Sequence, residues 1–181
     1  MAEIEQLKGE IDDLERVTML LNSIGEERQM KAQGVIEGLV TRGLQTIFDD
    51  KYSFHIIQTV KGKTANVEFV VRTTLEGSTT ETSVMEARGG GLAAVVGFLL
   101  RVVVMLLRSD KNEKVLFLDE TFAHVSAEYL PALGEFLREI VDKSDMQIIM
   151  VTHQDEFVDY ADVTYRFGLD ANEHTTVKEQ L

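Results

Sequence analysis

The first part of the chain repeats apolar positions with the period of a coiled coil. Side chains of this stripe recur at steps of three and four residues, at Ile4, Leu7, Ile11, Leu14, Thr18 and Leu21. Such spacing keeps one face of a helix turned toward a partner helix, although it also fits an ordinary amphipathic helix packed on its own domain. Gly25 and Gly34 interrupt the pattern. We therefore predict a coiled-coil-like helix over residues 1–33 and a separate domain over residues 34–181.

The next segments indicate a second amphipathic helix and then a β-hairpin. Residues 52–60 and 66–73 are rich in β-forming side chains and flank the turn-like sequence KGKTA. Two such runs on either side of a glycine-containing turn are typical of antiparallel strands. Residues 76–80 form another turn-like stretch, and a short run leads to Met85.

Beyond residue 88 the pattern changes to long apolar runs. Residues 92–107 are almost wholly apolar but include Arg101. They fall short of the roughly 20 residues that span a bilayer, so we predict a buried core helix. Residues 115–118 are continuously apolar, and residues 146–151 are apolar except for Gln147; between these runs lies a helical stretch that starts near Pro131. Continuous runs separated by helices predict a parallel sheet covered on both faces.

The fold class is therefore α/β, with a parallel-rich sheet flanked by helices, an N-terminal coiled-coil-like helix and a β-hairpin. A last strand is expected at residues 162–167, after a short helix. The polar C-terminal residues 169–181 are expected to trail off the domain. A net charge of −13 argues against a free-standing nucleic-acid binder. The absence of cysteine rules out disulfides and fits a reducing compartment.

Polar side chains follow both continuously apolar strands. Asp119 and Glu120 end the first, and Thr152 and His153 follow the second. Functional groups of parallel α/β sheets lie at the carboxyl ends of the strands. One carboxylate and phosphate oxygens suit Mg²⁺, and a second carboxylate can orient or deprotonate a water. Each ending taken alone is also explained by strands that simply finish at the surface.

A triple glycine, Gly89 to Gly91, directly precedes the long apolar helix. Bare backbone N–H groups at a helix N-terminus form an anion site. A flexible loop is the alternative explanation of such a glycine run.

In this order, residues 88–167 resemble the C-terminal lobe of ABC-type ATPases, particularly the SMC and SbcC-like DNA-repair ATPases. The motifs are RGGGL as signature loop, a long helix, VLFLDE as Walker B strand, TFAHVS as D-loop, a helix, a strand, and TH as switch histidine. The resemblance implies that Asp119 holds Mg²⁺ through water, Glu120 polarises the attacking water and His153 senses the γ-phosphate of ATP. The nucleotide-binding residues that it implies are Arg88, Gly89, Gly90, Gly91 and Ser126.

The chain departs from the family pattern at several positions. The signature loop lacks its usual serine, with Arg88 or Gly89 in that place. Thr121 replaces the usual proline, and Ser126 replaces the usual aspartate of the D-loop, where it could cap the following helix. His124 in the same loop is interpreted as a surface residue. No GxxxxGK[ST] motif occurs, so the sequence lacks the loop that cradles the α- and β-phosphates.

The resemblance therefore implies half of an ATPase head, with ATP and Mg²⁺ as cofactors. Its partners would be an N-terminal lobe from the same long chain or a separate subunit, a second head, DNA in the full assembly and a nuclease subunit. It also implies a cytoplasmic role in recombination or repair, without a membrane. One alternative is a non-catalytic coiled-coil interaction module with vestigial ATPase features. Another is a metal-hydrolase site built from Asp119, Glu120, His124 and His153.

Overall fold

One long helix forms the N-terminal part of the protein. In the computed structural model, which describes residues 2–61, 64–87, 90–108, 114–170 and 174–180, helix α1 runs unbroken over Ala2–Ile47. The separate second helix expected after Gly25 and Gly34 is wrong, because α1 continues through both glycines. A glycine costs a helix only about 1 kcal/mol, and the strong helix formers around both positions offset that cost. The division at residue 33 thus falls inside one helix, and as a domain boundary it stays a prediction.

The two ends of α1 have different surroundings. Residues 4–32 are exposed, and the aliphatic members of the predicted stripe are 52–66% exposed. The structure therefore contradicts the alternative in which this stripe packs on the chain's own domain. The coiled coil stays a prediction. From Gln33 onward the helix becomes half-buried, and Val40 and Leu44 enter the core completely.

A polar ladder joins the C-terminal half of α1 to the edge of strand β1 (Tyr52–Lys61). Its members are Gln33, Glu37, Thr41 and Gln45. The Ile56 carbonyl accepts from Gln33 Nε2 at 2.7 Å, and the Ile56 N–H donates to Glu37 Oε1 at 2.7 Å. The Phe54 N–H donates to Thr41 Oγ1 at 2.9 Å, and Gln45 Nε2 donates to the Tyr52 carbonyl at 3.1 Å. These side chains satisfy backbone groups that an edge strand would otherwise present.

The predicted hairpin is confirmed as part of a three-stranded antiparallel sheet of order β1-β2-β3. Strand β2 is Thr64–Leu75 and strand β3 is Ser78–Ser83. The register places Phe54 beside Val71, and both are buried. Residues 76–80, expected to be only a turn, turn at Glu76 and Gly77 and then enter β3. Strand β3 was missed because its side chains are polar and exposed, which removes the alternating signal.

Helix α2 (Gly91–Leu107) confirms the predicted core helix. Its buried residues are Val95, Val96, Phe98, Leu99, Val102 and Val103. It crosses α1 at Gly43, where an added Cβ would lie 2.5 Å from Leu99 Cδ2. Among the described residues, no helix combines the length and apolar character needed to cross a membrane.

Strands β4 (Lys114–Asp119) and β5 (Met146–Val151) pair in parallel, as predicted, and helix α3 (Leu130–Lys143) connects them. One face of this pair meets the core, where Leu118 is 2% exposed. The other face lies open, and Phe117 is 72% exposed. Coverage on both faces is therefore wrong for this chain. We call the open side the uncovered face; it carries Phe117, Asp119, Ile149 and Val151.

The C-terminal residues do not trail off as expected. Strand β6 (Thr164–Leu169) pairs antiparallel with strand β7 (Thr175–Gln180). Most side chains of both strands are exposed, so the polar sequence of β7 carries no sign of a buried face. A 3₁₀ segment, Asp155–Tyr160, leads from β5 to β6. The predicted mixed α/β fold with its long N-terminal helix and hairpin is confirmed, and its parallel sheet is the β4–β5 pair.

Replacing Gly43 by alanine should destabilise the crossing of α1 and α2. The new methyl group would overlap buried Leu99, and overpacking costs about 1–3 kcal/mol, partly offset by about 1 kcal/mol of helix propensity. Gly38→Ala is the matched control, because a Cβ there meets nothing within 4 Å. Urea denaturation should show a lower free energy of unfolding for Gly43→Ala and a higher one for Gly38→Ala. Equal stabilisation by both would contradict this packing.

Candidate active site

The parallel register brings the two predicted strand ends to one edge of the sheet. Asp119 pairs with Val151 at the last step of the β4–β5 ladder. The next backbone group continues the pairing, because the Glu120 N–H donates to the Val151 carbonyl at 2.9 Å. Two residues beyond Val151 the chain reaches His153. Residues more than thirty positions apart in the sequence thus become neighbours.

Glu120 holds a backbone conformation that is uncommon for a side-chain-bearing residue. Its φ is +45°, in the left-handed region. Such conformations cost of order 1 kcal/mol or more and are maintained by surrounding contacts. Here the contacts are the hydrogen bond to Val151 and a turn in which the Ala123 N–H donates to the Glu120 carbonyl at 3.2 Å. The turn directs the carboxylate of Glu120 away from the strand axis and toward the loop after β5.

Glu120 and His153 are in direct contact. His153 Nδ1 lies 2.7 Å from Glu120 Oε2. An ionised carboxylate only accepts hydrogen bonds, so the Nδ1 position of the imidazole carries the proton. The Nε2 atom of the ring then faces away from Glu120. In a neutral imidazole Nε2 accepts, and only the protonated ring donates from both nitrogens.

Asp119 lies beside this pair on the uncovered face. Its side chain is exposed and belongs to the same side of the strand as Phe117, two residues earlier. Two adjacent carboxylates at a strand end are a donor set that Mg²⁺ uses together with phosphate oxygens and waters. The residues therefore fit the predicted metal. A metal centre formed by this chain alone would need more ligands. Within the described ranges, no group of three or more His, Asp or Glu side chains could hold an ion. The metal-hydrolase hypothesis gains no support from this arrangement.

Gly90 and Gly91, which we call the glycine turn, lie at the N-terminus of α2. Gly90 has φ +70° and acts as the N-cap, with its carbonyl accepting from the Ala94 N–H at 2.9 Å. No side chain of the described residues caps this end of α2, so its first backbone N–H groups point out of the helix without such a partner. Arg88 and Gly89, which we predicted to bind nucleotide, lie outside the described residues.

The glycine turn packs closely on the turn after β4. A Cβ at Gly91 would lie 2.5 Å from the His124 carbonyl oxygen, and one at Gly90 would lie 3.4 Å from His124 Cβ. His124 was interpreted as a surface residue, and it is exposed. Its backbone nevertheless forms the surface on which Gly91 lies, and its Cβ is the nearest neighbour of Gly90. Sequence patterns could not show this contact, because it joins segments whose separation in space depends on the packing of α2.

Ser126 begins the 3₁₀ turn Ala127–Tyr129, which precedes α3. The predicted side-chain cap is wrong, because the Ser126 hydroxyl makes no capping hydrogen bond to the described residues; its carbonyl instead accepts from the Tyr129 N–H at 2.9 Å. Pro131 lies in the first turn of α3, as expected. The exposed Ser126 side chain stays a predicted nucleotide contact.

Gln154 is a residue of this region that the sequence did not single out. Its Nε2 donates to the Phe122 carbonyl at 3.2 Å, and its backbone N–H donates to Thr152 Oγ1 at 3.1 Å. It therefore ties the loop after β5 to the turn after β4. The available signal was its position next to His153 at a strand end, but a glutamine there is equally compatible with a solvent-facing loop.

Solved structures whose fold is similar to that of this chain include SMC head domains. A chain from a study of ATP-driven dimerization and DNA-stimulated activation of SMC ATPases superposes with a TM-score of 0.65 at 13% identity, covering 86% of this chain and 89% of that one. The Smc head domain of Pyrococcus furiosus with an extended coiled coil, bound to the C-terminal domain of ScpA, gives 0.66 at 16% identity. The Smc head domain of Pyrococcus yayanosii with a coiled coil and joint superposes with a TM-score of 0.65 at 16% identity.

The protein thus has an SMC-like head fold. The superposition on the Pyrococcus furiosus structure includes 92% of this chain but only 40% of that longer chain. The superposition on the Pyrococcus yayanosii structure includes 31% of that chain. No family model matches the sequence, and no curated protein matches it.

Gly91→Ala should disturb the contact between the glycine turn and His124. The added methyl group would meet a backbone oxygen, which cannot rotate away as a side chain can, so we expect a loss of about 1–3 kcal/mol of stability. Gly97→Ala in the same helix is the control, since its Cβ would lie 3.9 Å from the nearest atom, at the end of the Arg101 side chain. Urea denaturation and the amide chemical shift of His124 report the effect. An unchanged His124 shift with unchanged stability would contradict this contact.

Proposed function

We propose that this chain is the C-terminal lobe of an SMC/SbcC-like ATPase head and hydrolyses ATP only together with a lobe that supplies the phosphate-binding loop. The observation that carries the proposal is the contact between Glu120 and His153 at the ends of two parallel strands. A carboxylate and an imidazole held together at this edge of an α/β sheet are suited to handling a water and its protons.

Each group has a distinct chemical task in this proposal. Asp119 would hold Mg²⁺ through a water, and the ion would neutralise charge on the phosphates. Glu120 would orient the attacking water and accept its proton, using the oxygen that does not face His153. His153 would contact the γ-phosphate through Nε2. Because Nδ1 already donates to Glu120, donation from Nε2 requires the protonated imidazole.

The second anion contact of the proposal is the N-terminus of α2. Its uncapped first-turn N–H groups and the helix dipole favour a phosphate group, and Gly90 keeps the approach free of a side chain. A second head would present its ATP to this turn, with Arg88, Gly89, Gly91 and Ser126 beside it. Without the usual serine, the attraction depends on backbone groups and on the charge of Arg88.

The uncovered face supports a partner lobe. Phe117 lies beside Ile149, and both are exposed on the same side as Asp119. Large exposed apolar side chains on a sheet face are typical of an interface. A lobe that covered this face would bring its phosphate-binding loop to the end of β4, where the carboxylates are.

The exposed stripe of α1 supports the remaining part of the proposal. Residues 4–32 extend from the head with their apolar positions free, as in a helix that pairs in a coiled coil. Opening and closing of paired heads would then move these helices on DNA during recombination or repair, with a nuclease subunit as a further partner. The same stripe favours the second candidate, a non-catalytic interaction module, because it needs no nucleotide to bind another helix.

Glu120→Gln should abolish hydrolysis in the completed head. Loss of a general base lowers turnover by about 10²–10⁴-fold, while ATP binding should persist and the head dimer should be stabilised. Turnover is measured for this chain alone and after addition of the N-terminal lobe, with exposed Glu128→Gln as the matched control. Robust turnover by the chain alone that depends on Glu120 would contradict the half-site proposal. Nucleotide-independent dimerisation that Leu7→Asp abolishes and Asp119→Ala leaves unchanged would favour the interaction module.

Phe117→Ser should weaken binding of the N-terminal lobe without unfolding the chain. Burial of a phenylalanine side chain contributes about 1.5–3 kcal/mol, so the dissociation constant should rise about tenfold or more. Leu75→Ser is the control, because Leu75 is also more than half exposed but lies at the end of β2. Isothermal titration calorimetry with the N-terminal lobe compares the two. Equal weakening by both substitutions would argue against the uncovered face as the lobe interface.

A further inference from the structure

We propose that Gln154 is a positioning residue that holds the turn after β4 against the loop after β5 and so keeps Glu120 in contact with His153. The proposal deepens the site described above and rests on the proposed ATPase function only for its effect on turnover. It concerns the chain's own geometry otherwise. Gln154 touches neither the carboxylate of Glu120 nor the imidazole in the contacts that define its role; it acts through the backbone of Phe122.

The contact that needs support is an exposed one. The side chains of Glu120 and His153 are 44% and 70% exposed, respectively. An ion pair or hydrogen bond between exposed side chains contributes little and does not fix two loops by itself. The strand pairing ends with the bond from Glu120 to Val151, so the loop beyond Val151 requires a further tie to stay beside the carboxylate.

Gln154 provides that tie at a rigid point. Its Nε2 donates to the Phe122 carbonyl, which also accepts from the Val125 N–H at 2.9 Å. The Phe122 ring is buried and packs against the rings of Phe98 and Phe157, with centroids 5.3 and 5.9 Å away. The amide therefore binds a turn that is anchored in the core. Its own backbone N–H donates to Thr152, which curves the loop and directs His153 toward Glu120.

The other end of the same amide argues against a purely stabilising role. Gln154 Oε1 is buried and has no hydrogen-bond partner within the described part of the chain. A buried acceptor without a partner is unfavourable, whereas an apolar side chain of similar length would avoid that penalty. Gln154 thus has one amide atom, Nε2, that makes a hydrogen bond and another, Oε1, whose burial without a partner lowers stability. The gain from the amide lies in holding the loop after β5, and with it His153, against the anchored turn at Phe122.

Gln154→Met tests this role, because methionine keeps the length and removes both the donor and the unpaired acceptor. The readout is the ¹⁵N chemical shift of the His153 imidazole in the chain alone, at a pH where the ring is neutral. Wild-type protein should show the tautomer with the proton on Nδ1, and Gln154→Met should shift Nδ1 toward the averaged value of two tautomers. Glu120→Ala should give the same shift. His55, whose Nε2 lies 3.0 Å from Ser53 Oγ, is the internal reference.

Three outcomes decide the matter. A changed His153 resonance, an unchanged His55 resonance and an unfolding midpoint that is equal to or above the wild-type value support the positioning role. An unchanged His153 resonance overturns it. Loss of stability together with changes at both histidines also overturns it, since that is the signature of a merely structural residue.

Turnover in the completed head separates this proposal from the proposed function. With the N-terminal lobe added, Gln154→Met should lower kcat for ATP at least tenfold while KM stays within twofold, because the residue orients the pair and does not bind the nucleotide. Unchanged kcat in an active head overturns the positioning role. Absence of turnover in the wild-type assembly contradicts the ATPase proposal, and the imidazole shift then still decides whether Gln154 positions His153.

Discussion

The parallel pairing of β4 and β5 is the constraint on which the site depends. Its register sets Asp119 opposite Val151, and one further hydrogen bond carries the alignment to Glu120. A slip of one residue would turn the side chains of a strand to the opposite face. It would bury Phe117 and expose Leu118, and it would separate the carboxylate from His153. The burial of Leu116 and Leu118 against the core therefore fixes the chemistry at the strand ends as well as the sheet.

The two faces of that pair have different tasks. The inner face contributes Leu116 and Leu118 to the same core as α2, where Phe98 packs edge-on against Phe122. The contact between the rings of Phe98 and Phe122 thus anchors the turn after β4 in the core. The uncovered face contributes nothing to that core and carries Asp119 at its end. One face of the pair thus specifies the fold, whereas the other is the face on which we propose that a partner lobe binds.

The sequence predicts those features that depend on short-range patterns. Continuous apolar runs with polar ends correctly indicated β4, α2, β5 and the convergence of Glu120 with His153. The patterns failed for β3 and β7, because these strands are polar and mostly exposed and so show no alternation of apolar and polar residues. They also failed for α1, which continues through Gly25 and Gly34. They failed again for the uncovered face, because an apolar strand looks the same whether its cover belongs to this chain or to another. Gln154 and the Gly91–His124 contact depend on the packing of distant segments and leave no periodic signal.

The polar ladder explains why α1 changes from a buried to an exposed helix where it does. Four helical residues rise about 6 Å and two strand residues about 6.6 Å, so the mismatch grows by about 0.6 Å per step. The contacts follow this drift. The backbone of Ile56 is bound by both Gln33 and Glu37, whereas Gln58 is bound through its side chain, by Gln33 and Gln29. Among the described residues, the hydrogen bonds from these α1 side chains to the backbone of β1 extend no further than Ile56. A displacement of the exposed part of α1 would therefore act on the head through the ladder and Val40 and Leu44, which pack in the same core as α2.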